Sequence, residues 1–152
     1  MKLIDSKDKC SGCEMCVSIC PRNAISMKED QYGFLYPCID EKKCVDCGMC
    51  KKLCAFQNEE KGLEPQECYA AVAKNVNIKE SASGGIFSSL AVKIIEMGGI
   101  VFGTTLEYEN GKFFPKHISV DRIEDLYKIK GSKYVHSSMG DVYKEIKMQL
   151  AT

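Results

Sequence analysis

The second half of the chain carries one strong helical pattern. Apolar residues recur at spacings of three and four from Ile86 to Ile95, which predicts an amphipathic helix with one apolar face. Gly98 and Gly99 are expected to end this helix, because glycine readily takes the left-handed backbone that closes a helix. Upstream of it, the largely apolar run 68–74 predicts a buried strand.

Alternation of apolar and polar residues then predicts a β-hairpin. The segments 100–107 and 112–120 have the character of strands, and Asn110-Gly111 between them is typical of a tight hairpin turn. Pro115 has no N–H to donate, so its strand is expected at a sheet edge.

Polar residues near the end of the chain predict two helix starts. Asp121 and Glu124 form a capping-box pattern that opens a helix to about residue 129. Ser138 and Asp141 open a second helix, which presents three apolar residues on one face: Val142, Ile146 and Leu150. An α/β unit normally returns to its sheet after such a helix, so the second domain is expected to be incomplete in this chain.

The first half of the chain is organised by cysteine. Eight cysteines fall into two copies of the spacing C-x2-C-x2-C-x3-C, the bacterial ferredoxin pattern for a [4Fe–4S] cluster. The copies align as an internal repeat, and a short hairpin of segments 24–27 and 34–38 is expected between them. Short helices are expected after the two cysteine loops, near 14–19 and 48–53. Pro21 follows the first run, whereas Ala55 holds the equivalent place after the second.

The fourth cysteine of each run is expected to bind the cluster of the other run. Three thiolates on a tight loop hold one cube, whereas the fourth lies on the following helix and points away. Cluster one is therefore expected on Cys10, Cys13, Cys16 and Cys54. Cluster two is expected on Cys44, Cys47, Cys50 and Cys20.

Other interpretations of these cysteines fit less well. A zinc ion takes four ligands, usually as two pairs with a long spacer, and two interleaved runs do not have that form. A disulfide framework needs an oxidising compartment, but the chain opens without a signal peptide. Cys38 and Cys68 lie outside both runs and are expected to be small buried residues without a redox role.

Composition and charge narrow the classes of function. The 21 basic residues balance the 21 acidic residues, so the net charge gives no support for binding nucleic acid or an anionic membrane. No apolar run is long enough to span a bilayer. Reduced thiols and oxygen-sensitive clusters favour a cytoplasmic protein of an anaerobe.

These patterns predict an α+β protein with two domains. A ferredoxin-like domain with two [4Fe–4S] clusters is expected at residues 1–60, and a charged linker with Gly62 and Pro65 at 61–67. The first part of an α/β domain is expected at 68–152.

Two polar segments of the second domain are candidates for binding a phosphate-bearing cofactor. Ser81, Ser83, Gly84 and Gly85 precede the long helix, where backbone amides favour an anion. The second segment offers cations and an aromatic ring, through Lys130, Ser132, Lys133 and Tyr134. The alternatives are an ordinary helix cap in the first segment and a solvated basic loop in the second; His117 and His136 are expected to be surface or core residues rather than ligands.

The order of these motifs resembles the beta subunits of the coenzyme F420 hydrogenase/dehydrogenase family. After the two cysteine runs come S-x-S-G-G-I-F, then G-G-x-V-F-G and then K-G-S-K-Y-V. The resemblance implies a two-cluster ferredoxin domain joined to a flavin-binding α/β domain. It also implies that the flavin exchanges hydride with a deazaflavin coenzyme and single electrons with the clusters. Three departures are the shorter length, the Ala55 noted above and His136 in place of glutamine.

The sequence and the resemblance together predict an electron-transfer subunit of a flavin-linked oxidoreductase. FAD is the flavin expected in a full-length protein, and the partners expected are a redox protein or another hydrogenase or dehydrogenase subunit. We expect the 152-residue chain to accept electrons but to bind flavin weakly or not at all. Two alternatives stay open: a ferredoxin-like carrier with a docking domain, and a structural or assembly protein that clusters stabilise.

Overall fold

The computed structural model describes residues 3–58, 62 and 64–151. Helices and antiparallel strands alternate along these residues, with short 3-10 helices between some of them. The elements are the 3-10 helix Lys7–Lys9, α1 Met15–Ile19, β1 Ile25–Glu29, β2 Leu35–Ile39, α2 Met49–Lys52, the 3-10 helix Ile78–Glu80, α3 Ile86–Glu96, β3 Val101–Glu109, β4 Lys112–Val120, the 3-10 helix Ile123–Lys128 and α4 Val142–Gln149.

The chain packs as two units. The cysteine unit combines Met1–Leu63 with Met139–Thr152, and the second unit is Glu64–Ser138. This division differs from the domains expected from the sequence, which placed 139–152 with the second domain. The difference arises because α4 packs on α1, and Val142 at the start of α4 is buried. The linker expected at 61–67 lies partly outside the described residues.

The cysteine unit is built from two short helices and a two-stranded sheet. β1 and β2 pair antiparallel, with Ile25 opposite Ile39, as the hairpin pattern predicts. The buried core is small and contains Leu3, Ile25 and Cys50. Cys16 and Cys20 are among the partly buried residues that pack against it. Cysteine side chains therefore supply a large part of the core of this unit.

The second unit is built around one long hairpin and α3. β3 and β4 pair antiparallel over nine positions, from Val101 opposite Val120 to Glu109 opposite Lys112. Asn110 and Gly111 turn the chain with positive φ angles of 50° and 80°, as the hairpin motif predicts. The side chains that form the buried core come from α3, β4 and the segment after it: Ala91, Val120, Leu126 and Ile129.

Two expected elements of the second unit take a different form. Residues 68–74 form no strand, and most of them are exposed. Ala73 is the buried residue of this segment, and its N–H donates to the Gly84 carbonyl (2.8 Å). The helix expected after Asp121 is the 3-10 helix Ile123–Lys128, whose N-cap residue Arg122 makes no side-chain cap hydrogen bond. Helices with antiparallel two-stranded sheets make the fold α+β.

Substitution of Leu126 is expected to destabilise the second unit strongly. The Leu126 side chain is 1% exposed, so Leu126→Ala should leave a cavity and cost about 2–5 kcal/mol of unfolding free energy. The matched control is Leu90→Ala on α3, where Leu90 is 62% exposed and the cost should stay below about 0.5 kcal/mol. Hydrogen exchange of peptides from α3 and β3 in urea measures both. Equal costs would contradict the assigned core.

Candidate functional site

The two cysteine loops follow the same backbone path. Gly12 and Glu14 in the first loop take positive φ angles of 68° and 63°. Asp46 and Gly48 stand at the equivalent positions of the second loop, with φ angles of 53° and 73°. In each loop a short helix starts directly after the second of these residues. The internal repeat is therefore a repeat of backbone conformation as well as of cysteine spacing.

Two cavities in the cysteine unit each collect four cysteines. In each cavity three cysteines come from one run and the fourth comes from the other run. The first cavity is lined by Cys10, Cys13, Cys16 and Cys54. The second is lined by Cys20, Cys44, Cys47 and Cys50. This grouping is the one that exchange of the fourth ligand between two clusters requires.

The walls of both cavities are largely apolar, which changes the acidity of the thiols. Burial raises the pKa of Cys16 to about 12, and the neighbouring Cys13 adds to this effect. Burial also raises the pKa of Cys50, with a smaller contribution from Cys20 and Cys47. Without a bound cation these thiols stay protonated at neutral pH, so binding of iron must release protons.

The donor set fits iron–sulfur clusters. Thiolates are soft ligands that hold [4Fe–4S] clusters in sets of four, and each cavity supplies such a set. Within residues 3–58, 62 and 64–151, no group of three or more His, Cys, Asp or Glu side chains converges on one metal ion. A cube differs from a single ion in this respect, because its four thiolates bind four separate irons.

Asn58 stabilises the chain after the second cysteine run, where the sequence has no proline. The Asn58 side-chain Nδ2 donates to three backbone carbonyls at the end of α2, those of Lys51 (2.8 Å), Lys52 (3.1 Å) and Cys54 (3.0 Å). In the first run the Ala24 N–H donates to Cys20 Sγ (3.3 Å). These contacts help to fix Cys20 and Cys54, the fourth cysteine of each run, and the sequence pattern did not predict the role of Asn58.

A separate cavity of about 420 Å³ lies in the second unit. It brings together Ser81 and Lys130, one residue from each of the two segments proposed to bind a cofactor. Its lining residues are Lys79, Glu80, Ser81, Ala82, Tyr127, Lys130 and Gly131. Lys79 and Tyr127 are contributed by neighbouring short 3-10 helices, which the sequence analysis did not connect with the site.

The other predicted cofactor residues do not line this cavity, and several have structural roles. A Cβ on Gly84 would lie 2.2 Å from the Ala71 carbonyl oxygen, so only glycine fits there. Gly85 has a φ of 72° and a Cβ there would meet Val76 at 2.8 Å. The remaining residues outside the lining are Ser83, Ser132, Lys133 and Tyr134.

In the second predicted segment, Lys133 makes structural hydrogen bonds, whereas Tyr134 is exposed to solvent. Lys133 Nζ donates to the backbone carbonyls of Lys128, Lys130 and Gly131 at 3.0–3.3 Å. Burial lowers the pKa of Lys133. Tyr134 is 94% exposed. Lys133 therefore closes the end of the preceding 3-10 helix, and Lys130 is the lysine of this segment that faces the cavity.

Two family models match the chain, one over the cysteine runs and one over the region that follows them. The family model described as a 4Fe-4S dicluster domain matches residues 9–58. The model described as coenzyme F420 hydrogenase/dehydrogenase, beta subunit N-term, matches residues 68–144. No curated protein and no solved structure matches the chain significantly.

Within the described residues, no helix combines the length and apolar character needed to cross a membrane.

The match to the beta subunit family covers just over half of the chain, and the cysteine motifs precede it. The chain therefore belongs to the coenzyme F420 hydrogenase/dehydrogenase beta subunit family and carries a 4Fe-4S domain that supports iron–sulfur electron transfer.

Proposed function

We propose that this protein is the iron–sulfur electron-transfer subunit of a flavin-linked oxidoreductase, with two cross-ligated [4Fe–4S] clusters. The observation that carries this proposal is the pair of cysteine cavities, each with three thiols from one run and one from the other. When bound, such clusters transfer single electrons, and a flavin converts these into two-electron hydride chemistry.

Apolar residues surround the cysteines in both cavities, as expected for sites that hold iron–sulfur clusters. Apolar side chains such as Ile25, Ile39 and Met49 line the second cavity, and Leu3, Met27 and Phe56 line the first. Apolar surroundings that limit the access of water to the sulfur ligands are one of the features that set a cluster potential. The eight cysteines of the two runs would bind the clusters as reduced thiolates, which favours a reducing compartment such as the cytoplasm.

The cavity of the second unit is the proposed flavin site. Lys79 and Lys130 would attract the phosphate groups. The Tyr127 ring is 68% exposed, and its aromatic surface could contact a flat ring system, although Lys128 Nζ lies over it at 5.8 Å from the ring centroid. The one carboxylate in the lining, Glu80, accepts a hydrogen bond from Asn77 (2.8 Å). Because most of the lining residues are exposed, we expect the binding of flavin to be weak.

Reversal of one charge should test the flavin site. Lys130→Glu is expected to weaken FAD binding about tenfold or more, because it replaces a cation with a carboxylate beside the phosphate groups. The control is Lys112→Glu, which makes the same charge change at the tip of the hairpin. Fluorescence titration of FAD with each protein measures the affinity. Substitution of Gly85 in the first predicted segment would not test the site, because the φ of 72° at Gly85 disfavours any side chain.

Equal FAD affinities for both variants would contradict the flavin site and favour the carrier with a docking domain.

The wider function is tested by an anaerobic absorption spectrum before and after addition of a low-potential reductant. We expect reversible bleaching of the cluster bands. Clusters that bind but cannot be reduced would support the structural role instead. The beta-subunit family also suggests partner subunits, and co-purification from the native source under anaerobic conditions tests that suggestion.

A further inference from the structure

The second cysteine loop presents apolar side chains to solvent beside its cavity. Cys47 is exposed, whereas the other cysteines of the two runs are partly buried or buried. Val45 and Met49 line the same cavity as Cys47 and are also exposed. The Leu53 N–H donates to the Met49 carbonyl (3.1 Å), which places exposed Leu53 one helical turn from Met49 on the same face. We call these four residues the second-loop surface.

The first cysteine loop is covered by another element of the same unit. α4 packs on α1, the helix that carries Cys16. The Met139 N–H, just before α4, donates to Glu14 Oε2 at 3.3 Å, and Glu14 lines the first cavity. The two cavities therefore differ in access. A helix packs against the loop of the first, whereas the loop of the second carries an exposed apolar surface.

Cationic side chains border the second-loop surface. Arg22 lines the second cavity and is exposed. Lys51 and Lys52 are exposed on α2. Within the described part of the chain, none of these three cations forms an ion pair. The loop from Cys44 to Cys50 contributes one carboxylate, Asp46, so the cations outnumber it. The charge beside the second cavity is therefore positive, whereas the charged residue that lines the first cavity is acidic.

We propose that the second-loop surface is the docking site for an acidic redox protein, which exchanges electrons with cluster two. An exposed apolar centre with a charged border has the form of a protein interface. The cations attract and orient an acidic partner before contact. In each encounter one electron passes from the reduced centre of one protein to the oxidised centre of the other, and no proton or covalent bond is transferred.

This inference rests on the proposed function, since it requires a redox cluster on Cys44, Cys47, Cys50 and Cys20. It adds the identity of the cluster that meets the partner and the charge of that partner. The surface is built by the loop that binds the cluster, so docking there brings the partner directly to exposed Cys47.

The test is anaerobic stopped-flow oxidation of the full chain, loaded with iron and sulfide and then reduced. Two one-electron acceptors of opposite charge are compared, a soluble acidic b-type cytochrome and a basic c-type cytochrome. In Lys51→Glu with Lys52→Glu, oxidation by the acidic cytochrome at low ionic strength should slow by about tenfold or more, because steering is reversed. Oxidation by the basic cytochrome should accelerate. Both differences should vanish near 1 M salt, where the screening length is about 3 Å.

The matched control makes the same charge change elsewhere in the cysteine unit. Lys28 on β1 and Lys147 on α4 are exposed and line neither cysteine cavity. Lys28→Glu with Lys147→Glu should therefore change the two rates much less than the α2 variant does. Opposite responses to the two cytochromes also separate docking from a shift in cluster potential, because a shifted potential would move both rates in the same direction.

Equal effects of the two double variants, or rates that move together for both cytochromes, would overturn this inference alone. Analytical ultracentrifugation tests the other occupant of the surface. A dimer of the unaltered chain that Lys51→Glu with Lys52→Glu dissociates would assign the surface to a second copy and would also overturn the inference. Absence of cubane clusters from the unaltered chain, seen in its iron content, would overturn the proposed function and this inference together.

Discussion

Paired cysteine substitutions should reveal that each cluster takes its fourth ligand from the other run. Cys20→Ala with Cys47→Ala removes two thiols from one cavity, so about four irons per chain should remain after anaerobic reconstitution. Cys20→Ala with Cys13→Ala removes one thiol from each cavity, so both clusters should be lost. Iron and sulfide analysis, with the spectrum of the reduced protein, measures the difference.

The reciprocal pair gives a matched control for this experiment. Cys54→Ala with Cys13→Ala should retain one cluster, whereas Cys54→Ala with Cys47→Ala should retain none. All four double variants remove two thiols, so the number of missing ligands is constant and only their grouping differs. If the runs bound their clusters separately, Cys20 with Cys13 and Cys54 with Cys47 would be the pairs that keep a cluster.

Local signals allowed the sequence to predict the hairpins and the main helix. Asn110-Gly111 specifies its turn by backbone conformation alone, and the apolar stripe of α3 requires nothing beyond its own spacing. The cysteine spacing likewise predicts short helices near 14–19 and 48–53, and the structure has them at Met15–Ile19 and Met49–Lys52, directly after each loop. For these elements the local pattern was sufficient.

Features that depend on distant partners were not predictable in the same way. The apolar face of α4 shows that this helix needs a partner, but the pattern does not identify α1 as that partner. The run 68–74 has the composition of a strand, yet it pairs with no strand in the described part of the chain. Tyr69 and Val72 are 80% and 69% exposed. Cys68 is exposed for the same reason.

The cavity of the second unit shows how far a motif can locate a proposed binding site. The glycines of the S-x-S-G-G segment suggested close approach of a ligand, but Gly84 instead allows close approach of the Ala71 carbonyl. Ser81 and Lys130 do meet in the cavity, together with Tyr127, which lay outside both motifs. Residue type suggested the chemistry of the proposed site, whereas the set of residues that line the cavity depends on the path of the chain between the motifs.

Removal of iron should unfold the cysteine unit while the second unit remains folded. The core of the cysteine unit is small, and a core of this kind supplies no more than about 3–5 kcal/mol. Its helices α1 and α2 have five and four residues, too few to be stable alone. Bonds between iron and thiolate therefore couple cluster binding to folding. The second unit keeps its own core around Leu126.

Hydrogen exchange of the chelated, iron-free chain measures this directly, with the iron-loaded chain as the reference. Peptides from residues 3–58 should exchange close to the rate of unstructured chain, and peptides from 101–120 should keep their protection. The α4 segment provides the sharpest comparison, because it follows the second unit in sequence but packs on α1. It should lose protection together with the cysteine unit. Protection of α4 that matches β3 and β4 in the iron-free chain would show that α4 is stabilised by the second unit, contrary to the packing described.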